Sequence, residues 1–214
     1  MFRPTINRIR LAALAGLALM AGTAAAQLAP WTGLRLVDHR QHAITAQSLR
    51  GKPVLLHFVF TGCTSTCPPQ VHELVQMRAA LPPAIRAQLQ LVSVTVDPLG
   101  DTPQALAQFA ARLGADQPGW HFVTGAPSQL LQFSERMAAF DLRRTPQPVP
   151  ADHRTSLWLY DARGALVQRY GGWPVDRARL VAEITQIVQP QRVAAASPSQ
   201  PSRPTQLPPG SPRP

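Results

Sequence analysis

The only two cysteines of the 214-residue chain, Cys63 and Cys67, stand four positions apart in the segment FTGCTSTCPPQ. An apolar, strand-like run precedes them, and Pro68 follows where proline is tolerated in a first helical turn. A helix N-terminus offers unpaired backbone N–H groups and the positive end of the macrodipole, so it favours anions such as thiolate. Both thiols are therefore expected to have lowered pKa values. Such a pair can bind a soft metal, exchange with a disulfide, or form a structural bridge. The last is the weakest use: closing so small a loop removes little entropy from the unfolded chain.

Two thiolates are a soft donor set suited to Cu(I), and a third ligand would have to come from one of six histidines. His57 lies in the middle of an apolar run and reads as a hydrogen-bonded core residue. His39 and His42 belong to the leading segment, His72 points away around the helix that follows Cys67, and His121 sits beside Trp120 without a signal of its own. His153 follows the proline-rich stretch RRTPQPVPAD and immediately precedes the strand-like TSLWLYD. Whether it reaches the cysteines depends on the elements between them.

Those elements alternate. Residues 34–37 and the stretch around Ile44 suggest a short hairpin over the sheet edge, and Ser48 to Pro53 turn into VLLHFVF, apolar on both faces as a covered central strand should be. Val71, Leu74, Val75 and Arg78 continue at helical spacing after the cysteines, and Pro82-Pro83 ends that helix and opens a short second one. LQLVSVTV, stopped by Asp97-Pro98, reads as a second buried strand. Asp101-Thr102-Pro103 begins an amphipathic helix that Gly114 stops. Trp120 to Val123 is a third strand, Ser128 the expected cap of a helix from Leu130 to Phe140, and TSLWLYD with ALVQRYGG a hairpin about Ala162-Arg163-Gly164. A last helix is expected from Pro174 to about Gln189.

This order, with cysteines after the first central strand, predicts an α/β thioredoxin-like fold: a central mixed sheet flanked by helices, with an N-terminal β-hairpin extension. Periodicity alone supports only an α/β single-sheet domain; the cysteines at the strand–helix junction supply the rest. In such a fold the loop ending at His153 returns beside Cys63 and Cys67. A neutral imidazole there could complete a two-sulfur, one-nitrogen site, with Asp152 orienting the ring.

The ends differ from the middle. Residues 1–26 read as a secretory signal: Arg3, Arg8 and Arg10, an apolar run from Leu11 to Met20, then Ala24-Ala25-Ala26. The run is short beside the roughly 20 residues of a membrane span, so cleavage after Ala26 is the first expectation and retention as an N-terminal anchor, with membrane association, the second. Residues 191–214, rich in Pro and Ser, are expected to be a disordered tail. Residues 27–190 form one domain. The formal charge of +10 concentrates at the termini; within the domain fifteen basic residues face eleven acidic ones, a net +4. Basic side chains are scattered and not interleaved with aromatics, which argues against a nucleic-acid groove.

The ordered segments FVFTGCTSTCP, LVSVTVDPLGDTPQALAQFA, GWHFVTG and DHRTSLWLYDARGALVQRYGG resemble the Sco/SenC family of copper-binding thioredoxin-like proteins across residues 34–189. The resemblance implies a copper site made by Cys63, Cys67 and His153. It also implies a part in maturing the dinuclear copper centre of a respiratory haem–copper oxidase, by copper delivery or by reduction of the target's cysteines. The implied partners are the copper-bearing oxidase subunit and another periplasmic copper chaperone or thioredoxin-like reductant, and the implied location is exported, in or facing the periplasm. The chain departs from the family pattern at Thr64, Ser65 and Thr66, which lack an acidic residue some relatives carry there, and where His57 or Phe58 stands for an aromatic. Neither departure removes a ligand.

Two other functions compete. A metal-free thiol–disulfide oxidoreductase or thiol peroxidase would use Cys63 and Cys67 as a redox pair; Thr64 with Cys67-Pro68 resembles a peroxiredoxin motif and Arg154 is available, although Gln70 replaces the acidic residue usual after it. A structural zinc module would need four ligands, one more than this set provides.

Overall fold

The computed structural model describes residues 29–147 and 149–195; the leader expected at 1–26 and nearly all of the tail expected at 191–214 lie outside these residues. One seven-stranded sheet runs through the domain in the order β2-β1-β5-β4-β3-β6-β7. Its strands are β1 (Leu36–Asp38), β2 (Ala43–Ile44), β3 (Val54–Val59), β4 (Gln90–Thr95), β5 (Trp120–Gly125), β6 (Leu157–Tyr160) and β7 (Leu166–Tyr170). The three central strands β3, β4 and β5 are parallel, and the outer pairs are antiparallel. The sheet is therefore mixed, as expected.

Side-chain alternation divides β3 between two cores. Leu55 and Val59 join Cys63, Cys67, Val71, Leu74 and Met77 under α2 (Cys67–Ala80), α4 (Pro103–Arg112) and α6 (Arg177–Ala195). Val54, Leu56 and Phe58 face the opposite layer, with Leu130 and Phe133 of α5 (Pro127–Arg136) and Trp31 of the leading segment. Covering both faces is what makes β3 and β4 buried along their whole length. Two four-residue helices, α1 (Ala46–Leu49) and α3 (Pro83–Arg86), complete the connections.

Several elements differ from expectation. The leading hairpin lies in the sheet and not over its edge: β1 pairs with β5, Leu36 opposite Gly125, so the ladder groups of β5 that face away from β4 are satisfied within the plane. Helix α5 starts at Pro127 after Ala126, so Ser128 lies inside it rather than capping it. It ends at Arg136, well before Phe140, because Ala138 adopts a left-handed conformation (φ 49°). Helix α6 begins at Arg177, where Asp176 accepts the Arg179 N–H at 3.0 Å, and runs through Ala195, five residues past the expected domain boundary. Among the described residues no helix is long and apolar enough to cross a membrane.

Candidate metal centre

The site lies at the C-terminal edge of the parallel strands, where the sequence leaves β3 for α2. Asp101, almost fully buried, fixes the departure. Its carboxylate accepts the Thr61 N–H at 3.1 Å and the Thr61 hydroxyl at 2.6 Å, and also the Thr95 hydroxyl at the end of β4. Cys63 follows in a turn closed by its N–H on the Phe60 carbonyl (3.2 Å), and Cys67 opens α2. Both cysteines are free and buried.

Four positions apart, the two thiols have opposite acidities. Burial disfavours the Cys63 thiolate, but a hydrogen bond with Cys67 and the N–H groups of Cys67, Ser65 and Thr66 outweigh it and hold the Cys63 thiol down at about 7. The Cys67 N–H donates to Cys63 Sγ at 3.2 Å. Free N–H groups at a helix start thus act on the sulfur in front of the helix. Cys67 is 1% exposed and lies under that first turn; burial, together with the neighbouring Cys63 sulfur, pushes its thiol well up. The expectation that both thiols are acidified therefore holds for Cys63 and fails for Cys67.

The fold brings His153 to the pair. Its Nε2 stands 3.6 Å from Cys67 Sγ, across 86 residues of chain, and Phe60 packs edge-to-face on its ring at 6.0 Å. His153 Nδ1 lies 3.1 Å from the Arg154 carbonyl. A carbonyl only accepts, so Nδ1 carries the proton and Nε2 presents its lone pair to the sulfur. Burial lowers the pKa of His153 and keeps it in this neutral form. Asp152 does not orient the ring: it is exposed, and its carboxylate accepts the Val149 N–H at 3.0 Å, capping the short 3₁₀ turn Pro150–Asp152. A backbone carbonyl does what the carboxylate was expected to do.

The other histidines are engaged elsewhere or exposed. His39 bonds Asp116 at 3.1 Å, His121 bonds Asp38 at 3.0 Å and Gln90 at 3.1 Å, His42 lies beside Asp38, and His72 is exposed. His57 is wholly buried, as its place in an apolar strand predicts. Arg154 pairs with Asp141 at 2.9 Å instead of facing a thiol.

Two supports escaped the sequence reading. Asp101 is one; Gln70 is the other, fully buried one turn after Cys67. The signal for Gln70 was a polar residue on the core-facing stripe of α2, opposite the one polar ring in β3. Among the described residues no three His, Cys, Asp or Glu side chains stand in a ready-made ligand arrangement. What the site offers is a donor set: two sulfurs, one already acidified, and a neutral imidazole nitrogen aimed at the second. These donors fit a soft ion such as Cu(I) or a thiolate-tolerant Cu(II), with three ligands where a closed structural zinc site takes four.

The family model described as SCO1/SenC matches residues 26–189. A SCO1 protein homolog of Bacillus subtilis (strain 168) is 27% identical over 130 residues, which is 60% of this chain and 67% of that protein. The matched segments span between half and two thirds of the lengths of the first curated relatives. Among solved structures, BsSco, described as a Sco-family cytochrome c oxidase assembly protein with a disulfide switch, superposes with a TM-score of 0.61 at 23% identity. It covers 73% of this chain and 91% of that one. Bradyrhizobium japonicum ScoI with copper bound gives 0.61 at 22% identity, over 72% and 96%. At these identities the structural likeness establishes the fold, and the fold is thioredoxin-like.

Proposed function

Because this chain belongs to the SCO1/SenC family, we propose that it carries copper on Cys63, Cys67 and His153 as an exported assembly factor for the dinuclear copper centre of a respiratory oxidase. Copper is its cargo. The observation that carries the reading is the approach of His153 Nε2 to Cys67 Sγ at 3.6 Å, with the lone pair directed at the sulfur. In the metal-free protein Cys67 keeps its proton; on loading, the ion replaces it, so uptake releases protons. Three ligands near the protein surface, two of them 8% exposed, permit a partner's ligands to displace them one at a time. The proposed partners are the copper-bearing oxidase subunit and an upstream copper chaperone or thioredoxin-like reductant, met on the exported side of the membrane.

A second use of the same pair is supported by the Cys63 acidity. A thiol at about 7 is half ionised at neutral pH. Its thiolate attacks a disulfide of the target, forming a mixed disulfide and expelling one target thiolate. Cys67, deprotonated as it attacks Cys63, closes the intramolecular disulfide and expels the second. The target gains two electrons and this chain is left oxidised. The peroxidase reading fares worse, because it needs Cys67 as the acidic, accessible thiol, and Cys67 is neither.

Titration of the reduced protein with Cu(I) and Cu(II), followed by thiolate-to-copper absorption, tests the proposal. One copper per chain is expected, with the Cu(II) bands lost or strongly weakened in His153→Ala. Tight zinc uptake without copper bands would favour a zinc module, and rapid peroxide turnover that survives loss of Cys63 would overturn the assembly-factor reading.

A further inference from the structure

A single buried side chain joins the three segments that meet at the site. The Gln70 amide nitrogen, one turn into α2 from Cys67, donates to the Thr155 carbonyl at 2.6 Å and to the Gly172 carbonyl at 2.8 Å. Thr155 lies two residues after His153; Gly172 lies just beyond β7. Both amide protons are spent on carbonyls, so Gln70 Oε1 is left as an acceptor, 3.3 Å from His57 Nδ1. His57 must then donate from Nδ1 and accept at Nε2, where the Ser93 hydroxyl sits at 2.7 Å; Ser93 Oγ in turn accepts the Trp120 indole N–H at 2.9 Å. Every bond in this chain has one permitted direction. It runs from β5 through β4 and β3 into α2 and ends on the backbone that carries His153.

The contact is also sterically specified. A Cβ built on Gly172 would stand 1.2 Å from the Thr155 oxygen and 2.3 Å from the Gln70 amide nitrogen. The backbones at 155 and 172 close on the Gln70 amide to a separation only glycine permits.

We propose that Gln70 is the positioning residue of the site, holding the His153 loop against the cysteine helix so that Nε2 faces Cys67 before any metal arrives. It touches none of the donor atoms; it acts through the backbone on either side of them. The copper part of this inference rests on the function proposed above, and the metal-free part does not.

Two variants separate its bonds. Gln70→Met keeps the length and removes all three bonds. Gln70→Glu keeps an acceptor for His57 and turns oxygen toward the two carbonyls, so it breaks the clamp alone, and it stands in if the Met variant does not fold. In the reduced, metal-free full chain, nitrogen NMR of the His153 ring should report one tautomer with Nδ1 protonated in the wild type. Both variants should show averaged ring nitrogens. In titrations, Cu(II) affinity should fall about tenfold or more, while Cu(I) uptake by the two thiols changes far less. In a His153→Ala background the Gln70 change should shift Cu(II) affinity by no more than about twofold. An unchanged His153 ring in a folded variant, or equal affinity losses with and without His153, overturns the assignment. If the wild type binds no copper, the proposed function fails and the ring spectra still decide the role of Gln70.

Discussion

Cys63 and Cys67 share one helix start, and that start divides them. The N–H groups of Ser65, Thr66 and Cys67 surround the Cys63 sulfur in front of the helix, whereas the Cys67 sulfur lies beneath the turn in the core. The same element stabilises one anion and desolvates the other. In the function proposed above, this division makes Cys63 the thiol that meets the partner and leaves Cys67 with His153 as the inner part of the site.

Alkylation of the reduced protein by iodoacetamide should therefore modify Cys63 first. Its rate should rise with pH through about 7 and level off above it, while Cys67 stays at least about tenfold slower at neutral pH. Peptide mapping by mass spectrometry after timed quenching distinguishes the two; preferential labelling of Cys67 would reverse the assigned roles.

His57 should make the domain acid-sensitive. Burial, offset in part by the bond to Gln70, lowers its pKa from 6.5 to about 4. A depressed folded pKa means the unfolded chain takes up the proton first, so stability is full above about 6.5 and is lost as pH falls toward 4. At about 1.4 kcal/mol per unit the loss approaches ~3 kcal/mol. Urea midpoints measured across that range should fall with acid, and the slope should flatten in His57→Gln. An unchanged slope in that variant would mean that other groups carry the effect.

Gly172→Ala should be among the most damaging single-methyl additions in the chain. The new carbon would fall 1.2 Å from the Thr155 oxygen, which forces the backbone segments apart and breaks the Gln70 clamp. A loss of about 2–4 kcal/mol is expected, read as a lowered thermal midpoint. A variant melting within a degree of wild type would show that these segments are not in the contact described.

Asp101→Asn should loosen the turn that presents Cys63. The carboxylate accepts two bonds from Thr61 and one from Thr95; an amide cannot accept all three and turns a donor toward one of them. The expected cost is about 1–3 kcal/mol, measured by denaturant unfolding. Amide exchange should rise at Thr61 and Cys63 if the anchor is local; uniform protection across the loop would count against it.

The alternation of strands and helices was readable because each central strand is apolar on both faces and each long helix carries a core stripe. VLLHFVF and LQLVSVTV become β3 and β4 nearly residue for residue. Helix ends were less legible. Ser128 looked like a cap, yet Pro127 is already helical, and the end of α5 depends on a left-handed Ala138 that nothing in its residue type announces. Asp152 is the carboxylate next to His153 in sequence, but tertiary placement turns it to solvent and leaves the Arg154 carbonyl to hold the ring.

By itself the sequence determined which side chains could serve as donors, two thiols at a strand–helix junction and a histidine at the head of a returning strand, and the α/β order of the elements that carry them. Those follow from residue type and periodicity, which are local properties. Only the tertiary structure decided which thiol is acidic, which imidazole nitrogen faces it, and that Gln70 joins the cysteine helix to the histidine loop. Each of these depends on burial and on hydrogen-bond partners from distant parts of the chain, and spacing along the sequence encodes neither.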